Sequence, residues 1–270
     1  MSKSFQFILN FLEKQQLPYQ LMNGQIMVND KLCLNLKEIF NVKIISVCEP
    51  QTEAIVEANN QLRSIQIWED ECVRKPDIIL SRLSSILGLN RKIPARLCYV
   101  KRITKPIADA FLNENHLQGS VKSKLKFGLF LKKNYNKRFG FLEDKSEVLL
   151  AVSTFSGGRN FLNEDVKLRS FELIRFASLL NINVIGGFDK MIAAFVEDCN
   201  PDHLMTYIDA EWSDGSNYKQ LGFEVSKRTA PIQFVVNLDT FERSIFKQDF
   251  DRKIEISISN AGNWKLEKWF

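Results

Sequence analysis

Hydrophobic and polar residues alternate along this chain with two periods, one typical of helices and one typical of strands. Residues 3–16 place Phe7, Ile8, Phe11 and Leu12 on one face of a predicted helix. Further helices are predicted at residues 53–62, 77–87, 106–113 and 189–198. Strands are predicted at residues 19–22, 25–28, 44–47, 64–68, 127–131, 148–155, 170–176, 184–185, 205–208 and 232–236, and a loop at residues 156–167. This alternation of strands and helices favours an α/β fold.

Glycines mark two turns between these elements. Asn23-Gly24 is a pair favoured by two-residue β-hairpins. Gly186-Gly187 follows a short apolar strand and precedes a helix that starts near Asp189. The first amides of that helix and its dipole favour an anion, and glycines let a phosphate approach them because they have no Cβ atom. Turn geometry explains the same glycines without a ligand, so both interpretations stay open.

Three polar residues are candidates for chemistry because of their positions. Asp209 ends a predicted strand, and ligands of open α/β sheets bind at that edge. His116 follows a helix at a turn that can present the imidazole, although a lone histidine is often a structural hydrogen-bonding group. Tyr218 lies in a loop with Gly215 and Ser216, where its phenol is either an acid for a departing thiolate or a lid over the core.

The composition indicates a globular protein. Of the 270 residues, 45% are hydrophobic and 21 are phenylalanine, which is enough to build a core. No apolar run approaches a membrane helix and no signal-peptide pattern is present, so a cytosolic protein without a membrane partner is expected. With two histidines a His-rich metal site is excluded, and no metal site is predicted. The cysteines are predicted to be reduced and mostly buried: Cys33, Cys48, Cys72, Cys98 and Cys199.

The net charge of +5 is mild, but basic residues crowd into one segment. Its members are Lys122, Lys124, Lys126, Lys132, Lys133, Lys137 and Arg138. Such a cluster suits a polyanion, and a solvated hairpin explains it equally well. Arg159, after Gly157-Gly158, and Arg175, inside an apolar strand, are able to pair with phosphate, with a structural ion pair as the alternative for Arg175. Trp212 either stacks on a base or forms an aromatic lid.

Residues 183–188 read Asn-Val-Ile-Gly-Gly-Phe and are predicted to form a strand, a glycine turn and the start of a helix. Tyr-Lys-Gln-Leu-Gly-Phe follows at residues 218–223. This order resembles the second half of an acetyltransferase of the GNAT superfamily, although the usual Arg/Gln-x-x-Gly-x-Gly/Ala loop is reduced. The resemblance implies a GNAT-like mixed sheet flanked by helices and an acyl-CoA-like, nucleotide-containing donor. It implies that the donor binds at Gly186, Gly187, Phe188, Asp189 and Lys190.

Other motifs occur in order over residues 65–270, including Ile-Gln-Ile-Trp-Glu-Asp-Glu at 65–71, Glu-Asn-His-Leu-Gln-Gly at 114–119 and Asn-Ala-Gly-Asn-Trp at 260–264. They resemble phage-type homing endonucleases with a Vsr-like nuclease domain. The resemblance implies a small α/β domain at residues 1–98, similar to a degenerate Vsr or restriction-endonuclease-like fold, and a GNAT-like domain at residues 99–270. The acidic and histidine residues of active nucleases have no counterpart in residues 24–60, which contain no histidine.

Asn115-His116, Tyr207-x-Asp209 and the polar loop ending in Tyr218 resemble the Mom DNA-modification proteins of phage, which attach an acyl-derived group to adenine. The resemblance implies an active-site set of His116, Asp209 and Tyr218. Asp209 would orient or deprotonate the amine, and the other two would be acid/base or metal-contact groups. The loop is one residue shorter than that family leads us to expect. Contacts to nucleic acid are expected from Lys122, Lys124, Lys126, Arg159, Arg175 and Trp212.

The leading hypothesis is therefore a GNAT-like transferase that modifies DNA bases in the Mom manner with an acyl-CoA-like donor. One alternative is a catalytically inactive DNA-binding protein derived from a mobile endonuclease. The other is a magnesium-dependent endonuclease that uses Glu69 or Asp70. The structural alternative for these carboxylates is capping of the next helix. Each hypothesis has DNA as the partner and the cytoplasm of a bacterial or phage-infected host cell as the location.

Overall fold

The computed structural model describes residues 3–39, 62–142, 147–163 and 166–270. The strand predicted at 44–47, residues 53–61 of a predicted helix, and Cys48 lie outside the described residues. Within these ranges, no helix combines the length and the apolar character that crossing a membrane requires.

Helices and strands alternate along the described chain. The helices are α1 (Lys3–Lys14), α2 (Glu69–Arg74), α3 (Pro76–Ile86), α4 (Lys105–Asn115), α5 (Gly187–Cys199) and α6 (Ser216–Lys219). The strands are β1 (Tyr19–Met22), β2 (Gln25–Val28), β3 (Leu32–Lys37), β4 (Arg63–Trp68), β5 (Arg91–Pro94), β6 (Cys98–Arg102), β7 (Leu125–Leu131), β8 (Val148–Phe155), β9 (Arg159–Asn163), β10 (Val166–Ser178), β11 (Ile182–Ile185), β12 (His203–Asp209), β13 (Glu224–Arg228), β14 (Gln233–Asn237), β15 (Arg243–Ile245), β16 (Glu255–Ser259) and β17 (Asn263–Trp269). The helices and strands predicted within the described residues are confirmed.

The chain divides into two compact units. The first consists of Met1–Pro76, Asp209–Asp214 and Arg228–Trp264, and the second of Asp77–Ile208, Gly215–Lys227 and Lys265–Phe270. The sequence-based prediction places a domain boundary after residue 98. The first unit thus includes Arg228–Trp264 from the C-terminal part of the chain. No local sequence pattern predicts this assignment.

The first unit contains two small sheets. One has the strand order β1-β2-β3-β4, with an antiparallel hairpin at Asn23-Gly24 and a parallel pairing of β3 with β4. Both hairpin residues have positive φ, 50° and 77°, as a two-residue turn requires, which confirms that prediction. The other sheet has the order β15-β14-β16. Ile39 and Trp68 pack with Val236, Ile256 and Ile258 in one apolar cluster of this unit.

The second unit is built around a large mixed sheet with the order β13-β17-β12-β10-β8-β7-β6, and β9 pairs with β10. The pairs from β6 to β10 are antiparallel, whereas β10 and β12 are parallel. The last strand along the chain, β17, lies between β12 and β13. The predicted mixed sheet is therefore confirmed.

Helices cover both faces of this sheet. Ala108 of α4 packs against Val152 of β8, whereas Phe195 of α5 stacks on Phe155 of the same strand with ring centroids 4.0 Å apart. Val152 and Phe155 are three positions apart, so their side chains point to opposite faces. The predicted flanking of the sheet by helices is confirmed, and large aromatic side chains build much of the core beneath α5.

The loop predicted at residues 156–167 is wrong. β9 occupies part of it and pairs antiparallel with the start of β10, with Phe161 opposite Leu168. Asn160 and Arg169 are also paired partners, and their polar side chains hide the strand pattern in the sequence. The hairpin makes β10 a long strand of 13 residues, which carries the site described below.

The cysteines in the described residues are reduced and buried, as predicted: Cys33, Cys72, Cys98 and Cys199. Burial raises the pKa of Cys72 to about 12 and that of Cys98 to about 11. Both thiols therefore stay protonated near neutral pH, which fits a packing role better than a reactive one.

Candidate active site

Two parallel strands of the second unit pair over only part of their lengths. β10 and β12 pair at four positions, from Ser170 opposite His203 to Leu173 opposite Thr206. The hydroxyl of Thr206 donates to the carbonyl of Leu173 at 2.9 Å and closes the paired region. β10 continues to Ser178 along β8, but no pairing with β12 follows. The carboxyl ends of parallel strands are where open α/β sheets bind ligands.

A β-bulge interrupts β10 directly after its pairing with β12 ends. The register of β10 against β8 shifts between Leu173 and Arg175. The guanidinium of Arg175 donates to the carbonyls of Gly119 at 3.3 Å and Ile174 at 2.9 Å. Burial lowers the pKa of Arg175, and nearby Glu172 opposes this effect. The guanidinium makes no ion pair within the described residues, so the ion pair considered from sequence does not form there.

His116 lies at the C-terminal end of α4, in the same loop as Gly119. Its Nδ1 accepts a hydrogen bond from the amide of Gln118 at 3.1 Å, which places the proton of the neutral ring on Nε2. Because Gly119 accepts from Arg175, the His116 loop lies beside the bulge of β10. The structure thus brings the His116 loop beside Arg175 of β10.

Asn115 anchors this loop, and sequence reasoning missed its role. The buried side-chain amide donates to the carbonyl of Phe111 at 2.8 Å and accepts from the amide of Leu180 at 2.9 Å. It therefore ties the end of α4 to the segment that follows β10. The Asn115-His116 pair is evident in the sequence. The hydrogen-bonding role of Asn115 is not, because its partner Leu180 is distant along the chain.

Tyr218 lies in a row of aromatic contacts that starts from Phe176, on the face of β10 opposite to its neighbour Arg175. Phe176 of β10 contacts Phe188 with ring centroids 4.6 Å apart, and Phe188 contacts Tyr218 at 5.0 Å. Tyr218 also meets Phe223 edge to face at 5.7 Å. Burial raises the pKa of Tyr218 to about 12, opposed by Arg82, so the phenol is protonated at neutral pH. A protonated phenol of this kind can serve as a proton donor.

The glycine turn before α5 has the geometry that the sequence suggested. Gly186 has φ 75° and is the N-cap, and α5 begins at Gly187. A Cβ on Gly187 would lie 2.8 Å from the Cβ of Val184, so close packing alone requires glycine there. The amides of Gly187, Phe188 and Asp189 donate no hydrogen bond within the described residues, as expected for the first turn of a helix.

The two charged residues of this turn differ in their surroundings. The ammonium group of Lys190 donates to the carbonyls of Ala95 at 3.1 Å and Cys98 at 2.7 Å, so it holds the turn against neighbouring backbone. Asp189 is exposed in the first turn, where its negative charge interacts favourably with the helix dipole. An anionic ligand at the same amides would face this carboxylate.

Asp209 belongs to the first unit. Its Oδ1 accepts from the amide of Glu211 at 2.9 Å, and its carbonyl accepts from the amides of Trp212 and Ser213. These bonds make a tight turn at the end of β12. The carboxylate therefore organises its own turn, which is the common structural use of an aspartate in this position.

Glu211, in the same turn, was not identified from the sequence. It is 4% exposed and accepts hydrogen bonds from Trp68, Gln66 and the amide of Ala261. Burial raises the pKa of Glu211 to about 8, and the charge of Asp209 adds to this effect. A glutamate surrounded by Asp and Trp gives no sequence signal of burial, because its partners come from distant strands.

The six residues predicted to contact nucleic acid differ in exposure, and Arg175, described above, is partly buried. Lys122, Lys124 and Arg159 are exposed. Lys126 is 9% exposed and donates to the carbonyl of Ser123 at 2.7 Å, and Trp212 is 2% exposed in the core of the first unit. The side chains of Lys126 and Trp212 are therefore not presented to a ligand.

The acidic run at the start of α2 is used within the protein. Glu69 accepts from the amide of Ile39 at 2.9 Å, while Asp70 and Glu71 form ion pairs with Arg243. Within the described residues, no group of three or more Asp, Glu, His and Cys side chains is arranged to hold a metal ion. The arrangement agrees with the structural interpretation of this run.

No family model matches this sequence, and no curated protein does. Among solved structures, a Bacillus subtilis acetyltransferase in complex with CoA is similar over 64% of this chain and 97% of its own, at 10% identity and a TM-score of 0.35. The ribosomal-protein-S18-alanine N-acetyltransferase from Escherichia coli is similar over 64% and 93%, at 11% identity and a TM-score of 0.35. A KacTA–DNA complex is similar over 48% and 86%, at 17% identity and a TM-score of 0.32. At these values neither activity nor ligand is transferred to this chain.

Proposed function

We propose that this protein is an acyltransferase of the GNAT type that takes an acyl-CoA-like donor and acts on nucleic acid. One observation carries the proposal: β10 and β12 are parallel neighbours whose pairing ends after Leu173 and Thr206. A bulge of β10 follows at this point, and a helix that starts at Gly187 comes later along the chain. A strand-turn-helix of this kind is what the resemblance to GNAT enzymes associates with the pyrophosphate of the donor.

The first turn of α5 suits such a donor. The amides of Gly187, Phe188 and Asp189 offer hydrogen-bond donors to phosphate oxygens. Lys190 keeps the turn in place through Ala95 and Cys98 rather than contacting phosphate. When bound, the donor supplies an acyl group activated as a thioester.

Two residues of the second unit have the state that proton transfer requires. Tyr218 is a protonated phenol and is proposed to donate its proton to the departing thiolate. His116 carries its proton on Nε2, since Nδ1 accepts from Gln118, so it is proposed to hydrogen-bond an acceptor oxygen or nitrogen. Asp209 is proposed to orient or deprotonate the attacking amine, as the resemblance to Mom proteins implies.

The proposed acceptor is an amine of a nucleic-acid base, with adenine in DNA as the Mom-type candidate. Lys122, Lys124 and Arg159 are exposed cations of the second unit that can contact phosphates. A base inside a duplex is not accessible to an enzyme, so the reaction requires base flipping or a single-stranded substrate.

The test is mass spectrometry of nucleosides from the DNA and RNA of cells that express the protein, compared with cells expressing Asp209→Ala or Tyr218→Phe. We expect a modified nucleoside that only the intact protein produces, and binding of CoA esters by the purified protein. Identical nucleoside profiles together with no binding of any CoA ester would refute the proposal. The mass of the added group would identify the donor class.

A binding protein without catalysis is the second candidate, and one observation favours it. The carboxylate of Asp209 caps its own turn and Lys190 is held by backbone carbonyls, so both residues have structural uses. This candidate predicts salt-sensitive binding to DNA that survives Asp209→Ala and Tyr218→Phe, without binding of CoA.

A further inference from the structure

Two segments of the second unit that are distant in sequence carry exposed cations at one edge of the large sheet. We define the basic surface by its residues Arg91, Lys92, Arg96, Lys132, Lys133, Lys137 and Arg138, all of which are exposed. The first three precede β6 and the others follow β7. Because β6 and β7 are antiparallel, with Cys98 opposite Leu131, the start of one lies beside the end of the other.

Hydrogen bonds fix the two segments to each other. The amide of Lys132 donates to the carbonyl of Leu97 at 3.0 Å, and the Lys132 ammonium lies 3.5 Å from the carbonyl of Arg96. The guanidinium of Arg91 donates to the carbonyl of Phe139. Asn136, which is buried, accepts from the amide of Phe139 and organises the segment after β7. The cations are therefore presented on ordered backbone.

The basic surface lacks neutralising acids in its own segments. No Asp or Glu occurs between Asp77 and Asp109, or between Glu114 and Glu143. The ion pairs within the described residues do not involve Arg91, Lys92, Arg96, Lys132, Lys133 or Arg138. Since the whole chain has a net charge of only +5, this edge concentrates positive charge that other parts of the chain offset.

We infer that the basic surface binds the sugar-phosphate backbone of a polynucleotide. This inference rests on the proposed function for its choice of acceptor class, and it names a surface different from Lys122 and Lys124. Those two lysines precede β7, whereas Lys132 and Lys133 follow it, and a strand of this length separates its ends by about 20 Å. An extended polyanion presents charge to both ends, whereas the phosphate groups of a CoA ester are confined to its nucleotide end.

The surface also adjoins the proposed donor site. A Cβ built on Gly186 would lie 3.6 Å from that of Ala95, which stands next to Arg96. Lys190 binds the carbonyls of Ala95 and Cys98, which are the first residue and the C-cap of a 3₁₀ turn at Ala95–Leu97. A backbone held on the basic surface is thus held beside the turn at which the donor is proposed to bind. The six cations of this surface other than Lys137 exceed what one donor with three phosphate groups neutralises.

The test measures binding of a fluorescent DNA duplex and of the matching single strand over a range of salt concentrations. The variant is Lys132→Ala/Lys133→Ala/Arg138→Ala, and the control is Lys167→Ala/Lys227→Ala/Lys247→Ala, which removes three exposed lysines elsewhere. The variant should weaken duplex binding by roughly tenfold or more and reduce the salt slope by about 0.9 for each phosphate that is no longer neutralised. The control should change neither by a comparable amount. Equal thermal unfolding of the three proteins establishes that the substitutions leave the fold intact.

CoA and dephospho-CoA separate this inference from its rivals. We expect the triple variant to bind both as the wild type does. A variant that keeps its DNA affinity and salt slope overturns the inference, as does one that loses CoA binding but still binds dephospho-CoA, since the surface would then serve the donor's 3′-phosphate. If DNA binding depends on the surface while no CoA ester binds, the inference stands and the proposed acyl transfer fails.

Discussion

The indole N–H of Trp68 points at the carboxyl group of Glu211 and lies 3.0 Å from each of its oxygens. The amide of Ala261 donates to the same carboxyl group at 3.1 Å. Burial raises the pKa of Glu211 to about 8; the charges of Asp209 and Glu71 add to this effect, and Arg243 and the hydrogen bond from Trp68 oppose it. The folded first unit therefore favours the protonated form of Glu211 more strongly than the unfolded chain does.

This relationship predicts a pH-dependent stability of the first unit. An acid with a raised pKa binds its proton more tightly in the folded state, so its contribution is complete below the ordinary value of 4.5 and is lost as the pH rises through about 8. The slope is at most about 1.4 kcal/mol per pH unit. In urea unfolding curves, the free energy of unfolding should be lower at pH 8 than at pH 6, and Glu211→Gln should remove much of that difference.

Glu147→Gln is the matched control for Glu211→Gln. The hydrogen bonds from Lys101 and Tyr99 lower the pKa of Glu147, so this carboxylate is ionised throughout the range and contributes no slope there. Glu147→Gln should leave the difference between pH 6 and pH 8 unchanged. A Glu211→Gln protein with the same pH dependence as the wild type would show that Glu211 does not titrate in this range.

Gly187 should not tolerate a side chain. A Cβ there would lie 2.8 Å from the Cβ of Val184 and 3.1 Å from a methyl group of Leu129. Gly187→Ala is therefore expected to lower the free energy of unfolding by about 1–3 kcal/mol. Gly157→Ala is the comparison, because its Cβ would make an ordinary 3.8 Å contact with Lys124. Chemical denaturation of both variants checks the difference, and equal stabilities would contradict it.

Local patterns were sufficient for the elements but not for their assembly. Asn23-Gly24 specifies its hairpin because both residues accept positive φ, and the strand period locates β8 to the residue. The insertion of β17 between β12 and β13 has no local cause, since the residues between β13 and β17 belong to the first unit. Pairings over such distances depend on the folded core.

The same limit applies to the candidate site. His116, Tyr218 and the glycine turn were located from local signals, namely a turn after a helix, a polar loop and paired glycines. The sequence predicts Lys126 and Trp212 as ligand contacts, but both side chains are buried. Lys190 binds backbone carbonyls that are more than ninety positions away in sequence. Burial of a polar or aromatic side chain is set by such distant partners, so the sequence cannot reveal it.

Asp189 offers a direct test of the donor site. Its exposed carboxylate lies in the first turn of α5, beside the amides proposed to bind the pyrophosphate. Removing this negative charge in Asp189→Asn should tighten binding of CoA by a few-fold, equivalent to roughly 0.3–1 kcal/mol. Glu197→Gln removes an exposed carboxylate near the other end of α5 and should not change the affinity. Calorimetric titration with CoA measures both, and unchanged affinity in Asp189→Asn would place the phosphates elsewhere.

Tyr218→Phe separates the catalytic role of the phenol from a packing role. Phenylalanine keeps the ring contacts with Phe188 and Phe223, so donor affinity and stability should be close to those of the wild type. If the phenol protonates the departing thiolate, kcat should fall by about 10²–10⁴, as is typical for loss of a general acid. Because burial raises the pKa of Tyr218 to about 12, its ionisation should produce no fall in kcat between pH 6 and pH 9.

Tyr207→Phe, at an exposed tyrosine of β12, should have no comparable effect on thiol release in the presence of DNA. An unchanged kcat in Tyr218→Phe would show that Tyr218 has only a packing role. The proton for the departing thiolate would then have to come from His116 or from water.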